Sequence, residues 1–459
     1  MSFTDPVAQD LHAAESGQAD SYVRTTYAVW EITLKCNLAC AHCGSRAGDS
    51  RVDELSTEEA FDLIHQMAEL GIKEVSLIGG EAFLRKDWLD LAREITRVGM
   101  RATMTTGGFG ISERTAERMK EAGIRTVSVS IDGLEDVHDK LRGRKGSWRQ
   151  CFQTIENMRK AGIPIGTNTQ INRRSAPILP MLYQKLVDAG VKMWQIQLTV
   201  PMGNAVEEAE LLMQPFELLD LYPLLAFLSK VGVNDGMVVQ PGNNIGYYGP
   251  YERAMRGVKF KDRENMFYTG CNAGIDVIGI EADGSIKGCP SLPTKAYTGG
   301  NIRKTSLHDI FFKAEELTIN EAAGTEAGTD HLWGHCKSCE FASLCRGGCN
   351  WTAHVFFGKR GNNPYCHHRA LKRAANGQRE RFFLTEAASG LPFDHGIFDM
   401  VDEPLDAPYS SPLAFDLDNV QFPEEWKKRI PNLVADLRAH RDRYIKYYSE
   451  SRFGQSQPA

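Results

Sequence analysis

Tyr27-Ala28-Val29-Trp30-Glu31-Ile32-Thr33-Leu34-Lys35-Cys36-Asn37-Leu38-Ala39-Cys40-Ala41-His42-Cys43 joins a strand-like apolar run to three cysteines within eight residues. A loop of this kind sits at the C-terminal end of a strand, where α/β proteins place their chemistry. Three thiolates on one face of a tight loop suit three of the four irons of a cubane cluster and leave the fourth iron open to a ligand. A zinc loop is the competing reading, but zinc sites usually pair C-x2-C with a second pair or with histidines.

Working outward, one unit recurs from residue 27 to about residue 205: a short apolar strand, then an amphipathic helix that stops at glycine. Further strands are expected at 74–78, 101–105, 126–131, 164–171 and 193–199. The helix stops are Gly71, Gly99, Gly123, Gly162 and Gly190, because glycine takes the left-handed cap at least cost. Ser56-Thr57-Glu58-Glu59 has the pattern of a capping box ahead of a stripe at Ala60, Leu63, Ile64 and Met67, and Ser112 is placed to cap a later helix. About six βα units follow, hence an α/β fold with a partial parallel barrel. Cys151 lies on the stripe Trp148, Cys151, Phe152, Ile155 and Met158 and is expected to be a packed core thiol.

A chain of 459 residues, 42% hydrophobic and 24% charged, has room for two or three globular domains. A formal net charge of −6 with interspersed signs shows no nucleic-acid footprint. Met1-Ser2-Phe3-Thr4-Asp5-Pro6 lacks the order of a signal peptide. No apolar run is expected to span a membrane; even 218–233 is interrupted by Asp220, Pro223 and Lys230. Eleven cysteines without an export signal read as metal ligands rather than disulfides, and a cytoplasmic location is expected. The expected divisions are a polar lead-in (1–24), the barrel (25–205), a helical and turn-rich bridge (206–265), a second cysteine-rich domain (266–375) and a C-terminal extension of unknown role (376–459). The bridge holds a Leu-rich helical stretch, 207–230, and a turn-rich segment, 243–250, that is either a loop or a substrate wall. The extension holds an acidic stretch, 394–418, and an amphipathic basic helix, 424–448, serving as a packing arm or a substrate lid.

Two further segments carry polar chemistry at strand ends. In Gly79-Gly80-Glu81 the glycines permit close backbone approach, and the carboxylate beside them can bind an ammonium group. Ser128-Val129-Ser130-Ile131-Asp132-Gly133 and His138-Asp139-Lys140-Leu141-Arg142-Gly143 offer groups for ribose hydroxyls and a guanidinium for a carboxylate. The plain alternative is a strand-to-turn transition with a basic surface loop.

The spacing C-x3-C-x2-C, with His42 before the last cysteine, resembles the signature of the radical S-adenosylmethionine (SAM) superfamily. Gly79-Gly80-Glu81 resembles the family motif that holds the methionyl amino group. The S-x-D-G and H-D-x-x-R-G elements are similar to those of radical SAM peptide maturases, which implies SAM-site roles for Ser130, Asp132 and Arg142. Gln170, Asn172 and the strand end from Leu198 to Gly203 are implied adenine-side walls. One departure is Thr105-Thr106-Gly107-Gly108, where relatives carry Thr-Asn-Gly.

The second cysteine set reads Cys271, Cys289, Cys336-x2-Cys339-x5-Cys345-x3-Cys349 and Cys366. It resembles the SPASM domain, which carries two auxiliary iron–sulfur clusters. A hairpin with an Asp283-Gly284 turn is expected to bring Cys271 and Cys289 together. By the resemblance, Cys336, Cys339, Cys345 and Cys366 complete one cluster. Cys271, Cys289 and Cys349 hold the other, nearer the active site, with its last iron open to substrate, water or a non-cysteine ligand. A pair of structural zinc sites is the alternative, although seven cysteines do not divide into two all-cysteine zinc sites.

The resemblance covers residues 26–375 and implies an oxidoreductase or maturase using SAM and three [4Fe-4S] clusters. SAM would be cleaved to a 5′-deoxyadenosyl radical that takes hydrogen from substrate, and the auxiliary clusters would accept the remaining electron or ligate the substrate. The expected substrate is a ribosomally made peptide that is cross-linked or otherwise oxidised, with flavodoxin or ferredoxin as reductant and no nucleic-acid or membrane partner. The lead-in is too short for a winged-helix recognition domain, so either a separate recognition protein would present the peptide or the substrate would bind without one. Alternatives are a tetrapyrrole- or aminoglycoside-type small molecule or cofactor precursor, a formylglycine-type protein maturase, and a non-catalytic electron-transfer or zinc protein. No acid or base is assigned.

Overall fold

The computed structural model describes residues 27–256, 268, 270–321 and 326–451, and the expected polar lead-in lies outside them. All six expected strands form: β1 (Tyr27–Glu31), β2 (Glu74–Ile78), β3 (Arg101–Thr106), β4 (Ile124–Ser130), β5 (Ile165–Ile171) and β6 (Met193–Leu198). They pair parallel in that order. Parallel neighbours need crossover connections, supplied by α1 (Thr57–Glu69), α2 (Trp88–Arg97), α3 (Glu113–Glu121), α4 (Glu135–Leu141), α5 (Ser147–Lys160) and α6 (Leu179–Asp188). The five stop glycines are all left-handed, with φ between 67° and 90°. Ser56 Oγ accepts from Glu59 N at 3.2 Å while Ser56 N donates to Glu59 Oε2 at 2.8 Å, a reciprocal cap that contributes about 1 kcal/mol. Ala60, Leu63, Ile64 and Met67 are fully buried under it.

The sheet extends past these six strands at both edges. On one side α7 (Leu218–Asp235) returns the chain to β7 (Val238–Pro241), parallel to β6. On the other, β8 (Val277–Ile280) pairs parallel with β1, and β9 (Ser285–Lys287) and β10 (Thr298–Asn301) continue antiparallel. The order is β10-β9-β8-β1-β2-β3-β4-β5-β6-β7, so eight parallel strands stand among the described residues where six were expected. β7 has four residues and ends at Pro241, too short for a periodic signal. The Asp283-Gly284 hairpin forms as expected, yet its first strand is also part of the barrel sheet.

The helix expected at 207–230 starts only at Leu218; short 3-10 turns precede it. Contrary to the sequence expectation, residues Ala209–Asp235 are long and apolar enough to cross a membrane by composition, but 89% of the most apolar window is buried inside the protein. They form a core element.

Beyond α8 (Asn350–Phe357) and α9 (His367–Ala375), the extension forms a hairpin that no pattern marked, β11 (Gln378–Glu386) with β12 (Ile397–Pro404). The single helix expected at 424–448 is two, Glu424–Arg429 and α10 (Leu433–Glu450). Ile430 precedes Pro431 and leaves the helical region at φ −135°, ψ 74°, as the clash with a following proline ring demands.

A buried ion cluster joins the barrel to the β8–β9 hairpin. Arg51 lies 2.9 Å from Glu281 and 3.6 Å from Glu31, and the fully buried Lys287 lies 2.7 Å from Glu281. Burial lifts the Glu31 carboxyl to about 8 despite Arg51. Removing one member would leave a buried charge uncompensated, the costly case.

Candidate functional site

The three-cysteine loop leaves β1 and is held on three sides by backbone. It closes on itself through Cys36 N to Gly48 O at 2.8 Å and Gly48 N to Leu34 O at 3.0 Å. The end of α4 grips it through Ala39 N to Arg142 O at 3.1 Å and Ala41 N to Leu141 O at 2.8 Å. From the β6 end, Asn204 N donates to Cys43 O at 3.0 Å and Asn204 Nδ2 to Cys40 O at 2.9 Å. Gly203 (φ +59°) presses so close that a Cβ would lie 2.2 Å from Cys43 O; only glycine fits there. Burial pushes the Cys36 thiol up to about 11 and the Cys40 thiol to about 12, Arg142 opposing the rise at Cys40 and the neighbouring thiols adding to it. Loading a metal here must therefore expel protons, as thiolate ligation requires.

Gly79 and Gly80 sit tightly against this loop. A Cβ on Gly79 would lie 2.4 Å from Thr33 O and one on Gly80 2.5 Å from Leu34 O, so the close approach is to the chain itself. Their turn is tied down by Gly80 N to Thr33 O and Glu81 N to Lys35 O, both 2.8 Å. Glu81 is then pointed inward, 1% exposed. Its Oε2 accepts from Gly107 N at 2.8 Å, and its Oε1 has no partner. Burial lifts this carboxyl to about 7, against hydrogen bonds from Thr106 and Gly107. An unpartnered, buried carboxylate oxygen beside three thiols fits the ammonium of an amino acid cofactor better than it fits water.

Asp132 and Arg142 turn out to face each other. Arg142 Nη2 lies 2.7 Å and His42 Nε2 3.1 Å from Asp132 Oδ2, while Asp132 Oδ1 accepts from Gln170 N at 2.9 Å. Burial by itself would raise Asp132; Arg142 and then His42 hold it well below the usual carboxylate range. Arg142 Nη1 also lies 3.8 Å from Cys40 Sγ, placing a fixed cation beside the cluster loop. His42 Nδ1 is buried without a partner. Ser130, half-buried, has Oγ accepting from Asn168 Nδ2 at 3.2 Å. Leu198 is fully buried, with its N–H and carbonyl both taken by Asn244 at 3.1 and 2.7 Å, so it offers wall and no free backbone polar group. Asn172 Oδ1 caps its own turn at Arg174 N and Ser175 N. Cys151 is fully buried, its Sγ 3.2 Å from Gly107 O, as its helical stripe predicts.

The second cysteine set gathers into two groups. Burial, then Cys366, Cys336 and Cys339, push Cys345 well above its ordinary value. Burial, then Cys271 and more weakly Cys289, push Cys349 to about 12, and burial with Cys271 lifts Cys289 to about 11. The mutual repulsion of thiols is thus strongest within Cys336, Cys339, Cys345 and Cys366 and within Cys271, Cys289 and Cys349, while Tyr247 and Tyr268 pack against Cys349, Cys345 and Cys366 alike. Three successive left-handed residues, Arg346 (φ 53°), Gly347 (φ 78°) and Gly348 (φ 71°), reverse the chain between Cys345 and Cys349, which lets adjacent cysteines serve different groups. Cys345→Ala and Cys349→Ala should each remove about four irons from reconstituted protein, and the two variants should lose different cluster signals in electron paramagnetic resonance. Loss of the same signal in both would overturn the partition.

Several residues at these sites carry no sequence signal. Tyr247 (φ 78°) and Tyr248 (φ 55°), within the expected turn-rich segment, are strained, and Tyr247 packs with Tyr268 and Cys349 while its hydroxyl accepts from Cys349 N at 3.2 Å. Trp351 packs against both cysteine groups and donates its Nε1–H to Met202 Sδ at 3.0 Å. Tyr448 on α10 lies 2.8 Å from His368 Nδ1, two residues after Cys366, so the extension reaches the Cys366 and Cys339 side of the second cysteine set. Asn37 and Asn204 hold the cluster loop by side-chain bonds to distant backbone. Only two expected walls, residues 198–203 and 243–250, pointed toward any of them.

Residues 30–171 match the family model of the radical SAM superfamily. The AdoMet-dependent heme synthase of Methanosarcina barkeri is 28% identical over 348 residues, 75% of this chain and 97% of that protein. The PqqA peptide cyclase of Bradyrhizobium diazoefficiens is 25% identical over 371 residues, 78% of this chain and 93% of that protein. Among solved structures, SuiB of Streptococcus suis bound to S-adenosylmethionine superposes with a TM-score of 0.55 at 16% identity, over 78% of this chain and 79% of that one; it shares the fold.

Proposed function

Since the chain carries a radical SAM domain and is a radical SAM enzyme, we propose that it oxidises a ribosomally made peptide, using one SAM-binding cluster and two auxiliary clusters. Cys36, Cys40 and Cys43 hold the first cluster, Glu81 Oε1 receives the SAM ammonium, and Arg142 steadies the cluster loop through Cys40. His42, Gly79, Gly80, Ser130, Asp132 and Leu198 shape and brace the SAM pocket. When bound, cluster and SAM supply a primary carbon radical that removes a hydrogen atom from substrate. The protein's own share is to exclude water and to place substrate between the first loop and the Cys271, Cys289 and Cys349 group, whose acceptor role suits an oxidation. Cys336, Cys339, Cys345 and Cys366 would hold the second auxiliary cluster, which would supply an outward electron path.

One observation carries the choice of substrate. Three cations between the two cysteine regions are ion-paired: Arg46 with Glu207 and Asp394 at 2.6 and 2.8 Å, Arg51 with Glu281 at 2.9 Å, and Lys287 with Glu281 at 2.7 Å. A polycarboxylate tetrapyrrole needs unpaired cations to offset the desolvation of its charges; a peptide does not. The second reading, a tetrapyrrole substrate, draws on the heme synthase, which matches over nearly its whole length.

Anaerobic co-incubation with SAM, a low-potential reductant and either the peptides encoded beside the gene or an iron coproporphyrin separates the two. The expected result is a peptide lighter by two hydrogen atoms, with the porphyrin unchanged. Porphyrin turnover without peptide modification would replace the first reading by the second.

A further inference from the structure

The loop between β11 and β12 reaches over the barrel mouth and touches both cysteine regions. Its Asp394 accepts from Gly203 N at 2.9 Å and from Arg46 Nε at 2.8 Å, beside the first cluster loop. Its Phe393 lies under Lys287 Nζ at 4.1 Å, two residues before Cys289. Its His395 pairs with Met202 in an isolated antiparallel bridge, and Met202 in turn receives the Trp351 hydrogen bond. His395, Met202 and Trp351 therefore stand in the wall between the two cysteine regions.

The His395 ring has a defined proton arrangement. Its Nδ1 lies 2.7 Å from Gly396 O. A carbonyl only accepts, so Nδ1 donates to it and Nε2 is the ring nitrogen left to exchange a proton. Behind it, His354 on α8 is perpendicular to the ring with centroids 5.1 Å apart, and His354 Nδ1 lies 3.0 Å from Tyr297 Oη. Burial, then His395, lower His354 to about 4, so it faces His395 as a neutral ring. The other charged groups packed around this loop include Arg46, Arg51, Asp394, Glu207 and Lys287.

We propose that His395, supplied by the C-terminal extension, is the general base of the reaction, its Nε2 taking the proton that the oxidised substrate releases. This rests on the peptide-oxidation reading above. In the balanced step, one substrate hydrogen leaves as an atom to the SAM-derived carbon radical. The substrate then loses one electron to the iron–sulfur group held by Cys271, Cys289 and Cys349 and one proton to His395, and a new bond joins the two positions that lost hydrogen. His354 and Tyr297 orient His395 and keep its face neutral.

Two measurements test it. In protein without SAM or substrate, diethyl pyrocarbonate followed by peptide mass mapping should acylate His395 and spare His354, and added peptide should protect His395. In the loaded enzyme, His395→Gln should lower kcat for peptide oxidation by about 10²- to 10⁴-fold and abolish the fall in rate at acid pH that protonation of a base causes. His395→Ala should regain part of the rate with added imidazole, a response that a packing role would not give. An unlabelled His395, or a Gln variant with wild-type kcat and pH profile, would overturn the base assignment while leaving peptide oxidation standing. If wild-type enzyme cleaves SAM yet oxidises no peptide, the functional reading fails instead, and peptide protection of His395 from acylation should then be absent.

Discussion

Replacing Cys36, Cys40 and Cys43 together by alanine should abolish SAM cleavage and remove about four of roughly twelve irons, leaving the other two cluster signals in place. The loop offers no set of three substitute ligands. His42, the obvious candidate, has its Nε2 committed to Asp132 at 3.1 Å, and one ring nitrogen cannot replace three thiolates. The fold itself should survive, because the thiols make only long contacts with chain N–H groups, 3.4 Å from Leu38 N to Cys36 Sγ and from Ala47 N to Cys43 Sγ. The loop is held by backbone bonds that alanine keeps. Iron analysis with chromatography for 5′-deoxyadenosine decides the matter, since persistent cleavage would show that the cluster is bound elsewhere.

Asp132→Asn should be the most damaging single change outside the cysteines. Asp132 is fully buried and faces two basic groups, Arg142 at 2.7 Å and His42 at 3.1 Å. An amide of the same size removes the charge and leaves the Arg142 guanidinium buried without its counter-ion. Breaking such a pair costs about 3–5 kcal/mol. Because Arg142 also touches Cys40, the variant should bind the first cluster poorly while the auxiliary clusters load normally. The sign of the pH dependence follows from the depressed folded-state pKa. The contribution is fully present above about pH 4, the unfolded value, and is lost as pH falls toward the folded one. Denaturant titrations at pH 7 and pH 3 should show wild type and variant converging at the lower pH. An unchanged midpoint at pH 7 would mean that Arg142 finds another partner.

How much of this was legible beforehand depended on how local each signal is. Ser56 and Glu59 cap a helix start within four residues, and Gly71 to Gly190 end helices within one turn, so strand and helix positions came out within a few residues. The short, aperiodic β7 and the double use of β8 did not, because pairing at a sheet edge depends on what lies beside it. The glycines of the Gly79-Gly80-Glu81 turn were recognisable, but their close fit to the neighbouring backbone was not. They admit the carbonyls of Thr33 and Leu34, and the ligand-facing group is Glu81. Asp132 and Arg142 were singled out as ligand contacts, and the structure pairs them with each other. Residues 394–418 read only as an acidic stretch, yet their first two, Asp394 and His395, lie on the barrel mouth.

By itself the sequence determined the parallel βα order, the three-cysteine loop at the end of β1 and the candidate ligands. Those follow from side-chain period, cap chemistry and cysteine spacing, interactions that act over a few residues. Only the tertiary structure decided that the hairpin before Cys289 joins the barrel sheet and that His395 stands beside Met202 and His354. Those juxtapositions arise when whole elements pack. The energy that brings residue 395 to residue 202 is spread over the burial of α8, α9 and the β11–β12 hairpin, so no short stretch of sequence carries it.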